Sequence, residues 1–487
     1  MVKKGLNSRL IVKVKNIINN DIFFFCLLYT TLIFFFQKAF TTAFFADDYF
    51  FLKISRIKTF SQFLYFFYPF KDYFYRPLPT ELFYFIIHRL NYDLILSHSL
   101  VFGFYFIGLY FLYKIIAVAT KNKLFAKLAI IFYSISFIHV FQLYWLATFQ
   151  EIALFTFLVI SFYCFIRKKY LVSLLFFVFA LMSKETALVF PFFLCLYEFW
   201  HQKKSFVAKI PFLIPYFFLF ILFSLINKYS IGRVAVIDTY KIQLNPKLIL
   251  NNSMWYILWG MGLPNFMPDY LSSIFASPLP DLWNLFQIRE LRIYFNALIF
   301  YLVLTSIGFL VLVFKKQKVL KPLAFFCFGS LLSFFIFISP TLPIFHKWMV
   351  RLTIPLIFLS LLQAYLLFSL ARLNKYLLGM AIVIFSTYVI FNYYGIKTHE
   401  SSSLYALETR IAQNAKNYFV QNKHQILNNR FVYFKNGSGS VKLKTSFHDQ
   451  DFLDYFFPGA NLKAIYGYES VNIPFDAFVV DNDELLK

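Results

Sequence analysis

Residues 22–45 read IFFFCLLYTTLIFFFQKAFTTAFF, a run with one cation and no acid, closed two positions later by the pair Asp47 and Asp48. As an α-helix this run would be about 36 Å long, enough to cross a hydrocarbon core of roughly 30 Å. The preceding MVKKGLNSRLIVKVK is strongly basic, but the run is longer than a signal-peptide core and carries no A-x-A cleavage site. It is expected to remain as a first spanning helix.

The same pattern recurs along the chain. Of 487 residues, 60% are hydrophobic and 14% charged, with a mean hydropathy of +0.65. Globular chains average about 45–50% apolar and about 25% charged. Apolar blocks separated by short basic or proline-bearing loops predict spans at roughly 22–45, 82–113, 126–146, 149–166, 170–182, 185–200, 209–228, 294–314, 322–339, 346–371 and 375–395. The expected fold is an α-helical polytopic membrane protein of about eleven transmembrane helices. The 82–113 block is too long for one straight span, and His88, Arg89, Asn91 and Asp93 interrupt it, so it is expected to begin with a tilted or surface-lying helix.

Basic clusters recur at 114–127, 167–169, 201–209, 315–321 and 372–375. Placing all of them in the cytoplasm obeys the positive-inside rule and puts Asp47, Asp48 and the C-terminus outside. The net charge of +24 is then a matter of inner loops and anionic lipid, and no nucleic-acid partner is expected. Cys26, Cys164, Cys195 and Cys327 lie in apolar blocks without a CxxC pair, which argues against a disulfide framework or a zinc site.

Three segments are expected on the outer face. The loop at about 47–80 is rich in Tyr, Phe and Pro and suits an interfacial element. The loop at about 229–292 contains WYILWGMGLPNFMPDY and reads as re-entrant or surface-lying, with Trp255, Trp259 and Trp283 suited to the membrane interface. Residues 397–487 are polar and are expected to form a small external α/β appendage behind the transmembrane domain of 1–396. Its amphipathic helix would be LYALETRIAQNAKNYFVQN, and its strands RFVYFK and DAFVV, with a GSG turn between them. Sequons at Asn251 and Asn436 would face outward in this topology.

The chemistry-bearing residues gather on that outer side, and each has a plainer explanation. Asp47 and Asp48 could simply end an apolar run, yet two adjacent carboxylates among aromatics couple their titrations. In YRPLPTE (75–81), Arg76 offers a planar fork suited to phosphate or carboxylate, or it snorkels to the interface. His98 reads as an interhelical hydrogen bond. Lys184 and Glu185 of MSKETALVFP form either a compensating ion pair or an anion-binding cation tuned by an acid. Gln150 and Glu151 are polar residues at a tight connection. His346, Lys347 and Arg351 in PIFHKWMVRLTIP suit lipid head groups or one bound phosphate.

Taken in order, the acidic pair after the first span, YRPL after a long loop, a following His, SKET, and a late basic outer turn resemble the GT-C membrane glycosyltransferases. The likeness is to the branch that uses polyprenyl-phosphate sugars, such as protein O-mannosyltransferases and aminoarabinose transferases, and it covers roughly the first 200 residues. It implies that Asp47 or Asp48 acts as a base while a polyprenyl phosphate departs with inversion. The growing phosphate charge would fall to Arg76, Lys184, Lys347 and Arg351, supported by Tyr75, His98, Glu151, Glu185 and His346. The implied partners are a polyprenyl-phosphate-linked sugar, a glycan, lipid or protein acceptor, and membrane lipids. No cofactor is implied with certainty, no metal ligand is assigned, and use of a divalent metal stays open, as does the choice between Asp47 and Asp48. The favoured location is a bacterial cytoplasmic membrane, with an endoplasmic reticulum membrane as the eukaryotic equivalent. A transporter or flippase would share the composition, but such proteins place ionisable or broken sites near the midplane, often in repeated halves. A non-catalytic lipid-binding scaffold would tolerate Asn at both Asp47 and Asp48.

Overall fold

The structure is a computed structural model that describes residues 20–201, 206–234, 240–271, 273, 276–315, 317–402, 404–435, 438–467 and 473–486. The basic segment 1–15, positions 202–205 of the 201–209 cluster, Lys316 and the Asn436 sequon lie outside the described residues.

Six helices are long and apolar enough to cross a bilayer: Leu94–Thr120, Leu146–Ile166, Val207–Tyr229, Arg289–Phe314, Leu323–Thr341 and Lys375–Ser401. A bent pair, Lys123–Ser134 with Phe137–Tyr144, makes a seventh if its 51° break lies within one span. The chain is a polytopic helical membrane protein. Three further expected spans appear as shorter apolar helices, Asp21–Phe35, Tyr170–Leu181 and Pro355–Ala371. A 15-residue helix such as Asp21–Phe35 is only about 22 Å long. The apolar run continues past Phe35 as a 3-10 turn, Gln37–Thr41, so the length of the run overstates the length of the helix.

Helix ends follow their capping residues. Asn20 accepts from the Ile22 and Phe23 amides to start Asp21–Phe35, and Asp93 accepts from the Leu96 amide at 2.8 Å to start Leu94–Thr120. The long 82–113 block does split, into Phe83–Arg89 and Leu94–Thr120, with Asn91 and Tyr92 left-handed (φ 53° and 60°) between them. Asp21 pairs with Lys123 (3.0 Å) and Lys127 (3.1 Å), so the first helix starts at the end of the bundle that carries the 121–127 turn. Asp47 belongs to the opposite end.

Helices Leu94–Thr120 and Phe149–Ile166 touch closely at Gly108. A Cβ there would come within 2.3 Å of the fully buried Phe155 ring and 3.0 Å of Thr156 Oγ1, which itself donates to the Phe104 carbonyl. Small residues permit this kind of approach between membrane helices. Gly108→Val is therefore expected to destabilise by about 1–3 kcal/mol, seen as a lower thermal midpoint of the purified protein in detergent. An unchanged midpoint would mean that the two helices can separate freely.

Two expectations about the outer segments are corrected. Trp255 and Trp259 are not interfacial: they sit on the helix Pro246–Gly260 and are buried at 0% and 1% exposure, because packing them inside removes large apolar rings from both water and head groups. Trp283 remains exposed. In the C-terminal region, β1 (Phe431–Phe434) lies between β2 (Lys463–Tyr466) and β3 (Ala477–Val480), parallel to both. Parallel strands need a crossover rather than a tight turn. Ser438 and Gly439 of the expected GSG turn accordingly open a helix, Ser438–Ser446. The amphipathic segment forms the helix Leu404–Gln421, and position 396 falls inside the preceding helix Lys375–Ser402.

The C-terminal region docks on the first loop. The Ala46 amide donates to the Ser446 carbonyl at 2.7 Å, Lys53 pairs with Asp451 (2.8 Å) and Asp454 (3.2 Å), and the Phe44 and Tyr455 rings meet edge-on.

Candidate active site

The first loop begins with an aromatic clamp. The Phe45 and Trp145 rings stack 5.2 Å apart, and Trp145 Nε1 donates to the Phe45 carbonyl at 3.3 Å. Ala46 then adopts φ 48° and ψ −124°, a conformation that strains an alanine and needs surrounding contacts to hold it. The bond from its amide to Ser446 is one such contact. From this bend the helix Asp47–Ile54 starts, and because successive helical residues point about 100° apart, its two carboxylates enter different surroundings.

Asp48 points into the core at 1% exposure. The Tyr84 hydroxyl donates to its Oδ1 and the Phe45 amide donates to its Oδ2 at 3.0 Å. Burial outweighs these bonds and pushes its carboxyl up to about 7. Asp47 instead lines a cavity of about 1060 Å³ and keeps half of its side-chain surface open. The protein crowded around it raises its carboxyl by desolvation, while His448 and Arg76 pull it back down.

The positive groups reach the same end from three segments. Arg76 forms a two-point pair with Glu185 (2.7 and 2.9 Å), donates to Gln150 Oε1, and lies over the Phe74 ring at 4.3 Å. Lys184 donates to Glu151 Oε1, with both residues buried; burial draws the Lys184 ammonium below its ordinary range and Glu151 opposes this. Arg351 donates to the His346 carbonyl (2.6 Å) and to His346 Nδ1 (3.2 Å) and makes no ion pair among the described residues. Burial and the neighbouring cations hold His346 down to about 4, so at neutral pH it orients Arg351 without repelling it. Lys347 lies on the cavity wall over the Phe345 ring; burial lowers its ammonium, and Asp269 acts against that.

This basic turn is fixed from both sides. Asn252 donates to the Leu342 and Ile344 carbonyls, the Met349 amide donates to Asn265, and Gln142 donates to the Val350 carbonyl. Tyr240 joins the groups: its ring is 5.4 Å from that of His346, and its hydroxyl lies within electrostatic range of Arg351, Arg76, Asp47 and Glu185.

The structure therefore places Asp47, His346 and Lys347 on the wide cavity and Glu151 and Arg351 on a smaller one, while Arg76, Lys184 and Glu185 line neither and act from nearby, Arg76 on Asp47 and Lys184 on His346. It sets three of the sequence candidates apart. Asp48 faces the core. His98 is buried between the Leu143 and Thr42 carbonyls, which is the interhelical bond that its position favours. Tyr75 packs on Phe223 and donates to the Phe67 carbonyl, holding the loop that carries Arg76. Residues that sequence patterns did not single out also line the cavity, among them Tyr240, Asp269, Glu408 and His448. The acidic cluster in FHDQD (447–451) was the available signal for His448.

Below the charged groups, Glu151, Thr186 and Arg351 share a small cavity with Leu158, Phe337 and Ile354. Those three apolar residues also line an apolar cleft of about 220 Å³ between the helices, walled further by Leu112, Phe193 and Phe358. A cationic patch thus sits at the head of a hydrophobic slot. No group of three or more His, Cys, Asp or Glu side chains is placed to share a metal ion among the described residues. No protein-family model and no curated protein matches the chain.

Proposed function

We propose that this protein is a membrane glycosyltransferase of the GT-C kind, moving a sugar from a polyprenyl-phosphate donor to an acceptor hydroxyl. The observation that carries this reading is an order of groups: an apolar cleft, then a small void that shares Leu158, Phe337 and Ile354 with it and is lined by Glu151 and Arg351, then a wide cavity bearing Asp47 and His346, the latter bonded to Arg351. An amphiphile with a long apolar tail and an anionic head fits that order.

In the proposed reaction Asp47 accepts the proton of the acceptor hydroxyl as its oxygen bonds to the anomeric carbon. The bond from that carbon to the phosphate oxygen breaks on the opposite face, giving inversion. Arg351 and Lys347 receive the charge that develops on the leaving phosphate. Arg76 and Lys184 already hold Glu185 and Glu151, so their part is to offset those carboxylates and leave the charge of Arg351 uncancelled beside the head group.

The finer topology belongs to the same reading. The eleven expected spans would be met if the six long helices, the bent pair, the three shorter apolar helices and Phe190–His201 each crossed the bilayer. The N-terminus would then lie in the cytoplasm of a bacterium, with the cavity and C-terminal domain outside.

Purified protein given radiolabelled polyprenyl-phosphate sugars and envelope glycans, lipids or peptides, with and without EDTA, is expected to transfer label to one acceptor class. No transfer from any donor would overturn the proposal. In that case the apolar cleft and the polar cavity at one end of the bundle would favour a lipid transporter.

A further inference from the structure

His448 stands where the C-terminal domain meets the first loop. Its Nε2 is 3.9 Å from Asp47 Oδ1, and its Nδ1 is 2.8 Å from Asp451 Oδ2. Asp451 is in turn held by Lys53 at 2.8 Å, and Lys53 also reaches Asp454. The Phe50 ring flanks the imidazole at 5.3 Å. The titratable and charged groups around this row are Lys444, which lies 3.9 Å from Asp449, Glu408 on the same cavity wall, and, around Asp47, Arg76, Tyr240, Tyr84 and the adjacent carboxyl of Asp48.

The backbone makes the placement specific. His448 and Asp449 are both left-handed, at φ 50° and 58°, directly after the helix Ser438–Ser446. The Asp449 amide donates to the Lys444 carbonyl and the Tyr466 hydroxyl donates to the Asp449 carbonyl, so the turn is held from two elements. Two consecutive non-glycine residues in this region are a cost that the surrounding contacts must offset. Asp451 and Asp47 together favour the charged imidazolium, and the His448 ring is raised above its ordinary value, first by the Asp451 bond.

We propose that the C-terminal domain completes the active site, and that His448 is a positioning residue that keeps Asp47 ionised and aimed into the cavity. The inference rests on the transferase reading for its chemistry but not for its geometry. The transferred proton goes from the acceptor hydroxyl to Asp47 and leaves to solvent after product release; His448 supplies charge, orientation and no proton. Without that charge, burial acts on Asp47 unopposed on this side and raises its carboxyl. The acidic limb of the rate profile must then move to higher pH.

The test compares full-length wild type, His448→Gln, His448→Lys and Asp451→Asn in transfer rate against pH. His448→Gln is expected to move the acidic limb up by about one pH unit, Asp451→Asn by less, and His448→Lys to restore it. A uniform loss at every pH with an unmoved limb, or no rescue by lysine, would overturn the proposal. NMR titration of isotopically labelled histidine decides the coupling without any activity. The His448 signal is expected to titrate at lower pH in both Asp47→Asn and Asp451→Asn. If wild type transfers no sugar, the transferase reading falls while this titration still stands or falls on its own; an unmoved titration in Asp47→Asn overturns the coupling.

Discussion

Asp47→Asn is expected to lower the transfer rate by about 10²–10⁴-fold, while Asp48→Asn keeps most of it. The contrast follows from the two environments. Asp47 opens on the cavity, and an amide there accepts no proton. Asp48 is closed in by Tyr84 and the Phe45 amide, and with its carboxyl raised to about 7 it is already largely protonated below neutrality. An amide resembles that protonated acid in shape and hydrogen bonding. Asp48 is instead expected to show itself in stability. Its carboxyl binds a proton more tightly in the fold than in the unfolded chain, where it titrates near 3.8. That proton stabilises the fold fully below about pH 4, and the contribution is lost as pH rises through about 7. A rise from 3.8 to about 7 corresponds to on the order of 4 kcal/mol. Thermal midpoints at pH 5 and pH 8 should therefore converge in Asp48→Asn relative to wild type. Equal loss of transfer in both variants would contradict the assignment.

Lys184→Met is expected to cost about 3–5 kcal/mol of stability, because it leaves Glu151 buried beside Arg351 without its ammonium partner. The double variant Lys184→Met with Glu151→Leu removes both charges and is expected to recover most of that loss, since well-packed apolar residues often replace a buried pair without penalty. The single variant should transfer sugar poorly, because the bare Glu151 carboxylate then cancels Arg351, whereas the double variant removes one charge of each sign and is expected to recover part of the transfer. Denaturation in detergent and a transfer assay on the same samples separate the two effects. Recovered stability together with full activity in the double variant would remove Lys184 from the donor site.

The membrane-spanning character was legible in the run 22–45 and its repeats, because the bilayer sets one length and one polarity for every span. The break after Phe35 was not, since the change from α-helix to a 3-10 turn leaves no mark on hydropathy. The gathering of Arg76, Lys184, Glu185 and Arg351 on one side entered as an expectation of the eleven-span topology. Their pairing did not, because the Arg76 and Glu185 bond joins segments that are distant in sequence. The choice between Asp47 and Asp48 depends on the φ of Ala46 and its bond to Ser446, and adjacent residues carry no trace of either in their types. His448 carried a signal in the acids of FHDQD, but its approach to Asp47 joins segments that are far apart in sequence. Trp255 and Trp259 misled because tryptophan suits both a membrane interface and a packed core, and only the packing of Pro246–Gly260 decides between them.

The most direct measurement is equilibrium binding of radiolabelled polyprenyl phosphate to the purified protein. Wild type and Asp47→Asn should bind alike, Arg351→Met should bind at least about tenfold more weakly, in keeping with loss of one charge-assisted contact, and the unphosphorylated polyprenol should compete poorly. Binding that ignores Arg351, or that the bare polyprenol displaces equally well, would contradict a donor held by its phosphate at the head of the apolar cleft.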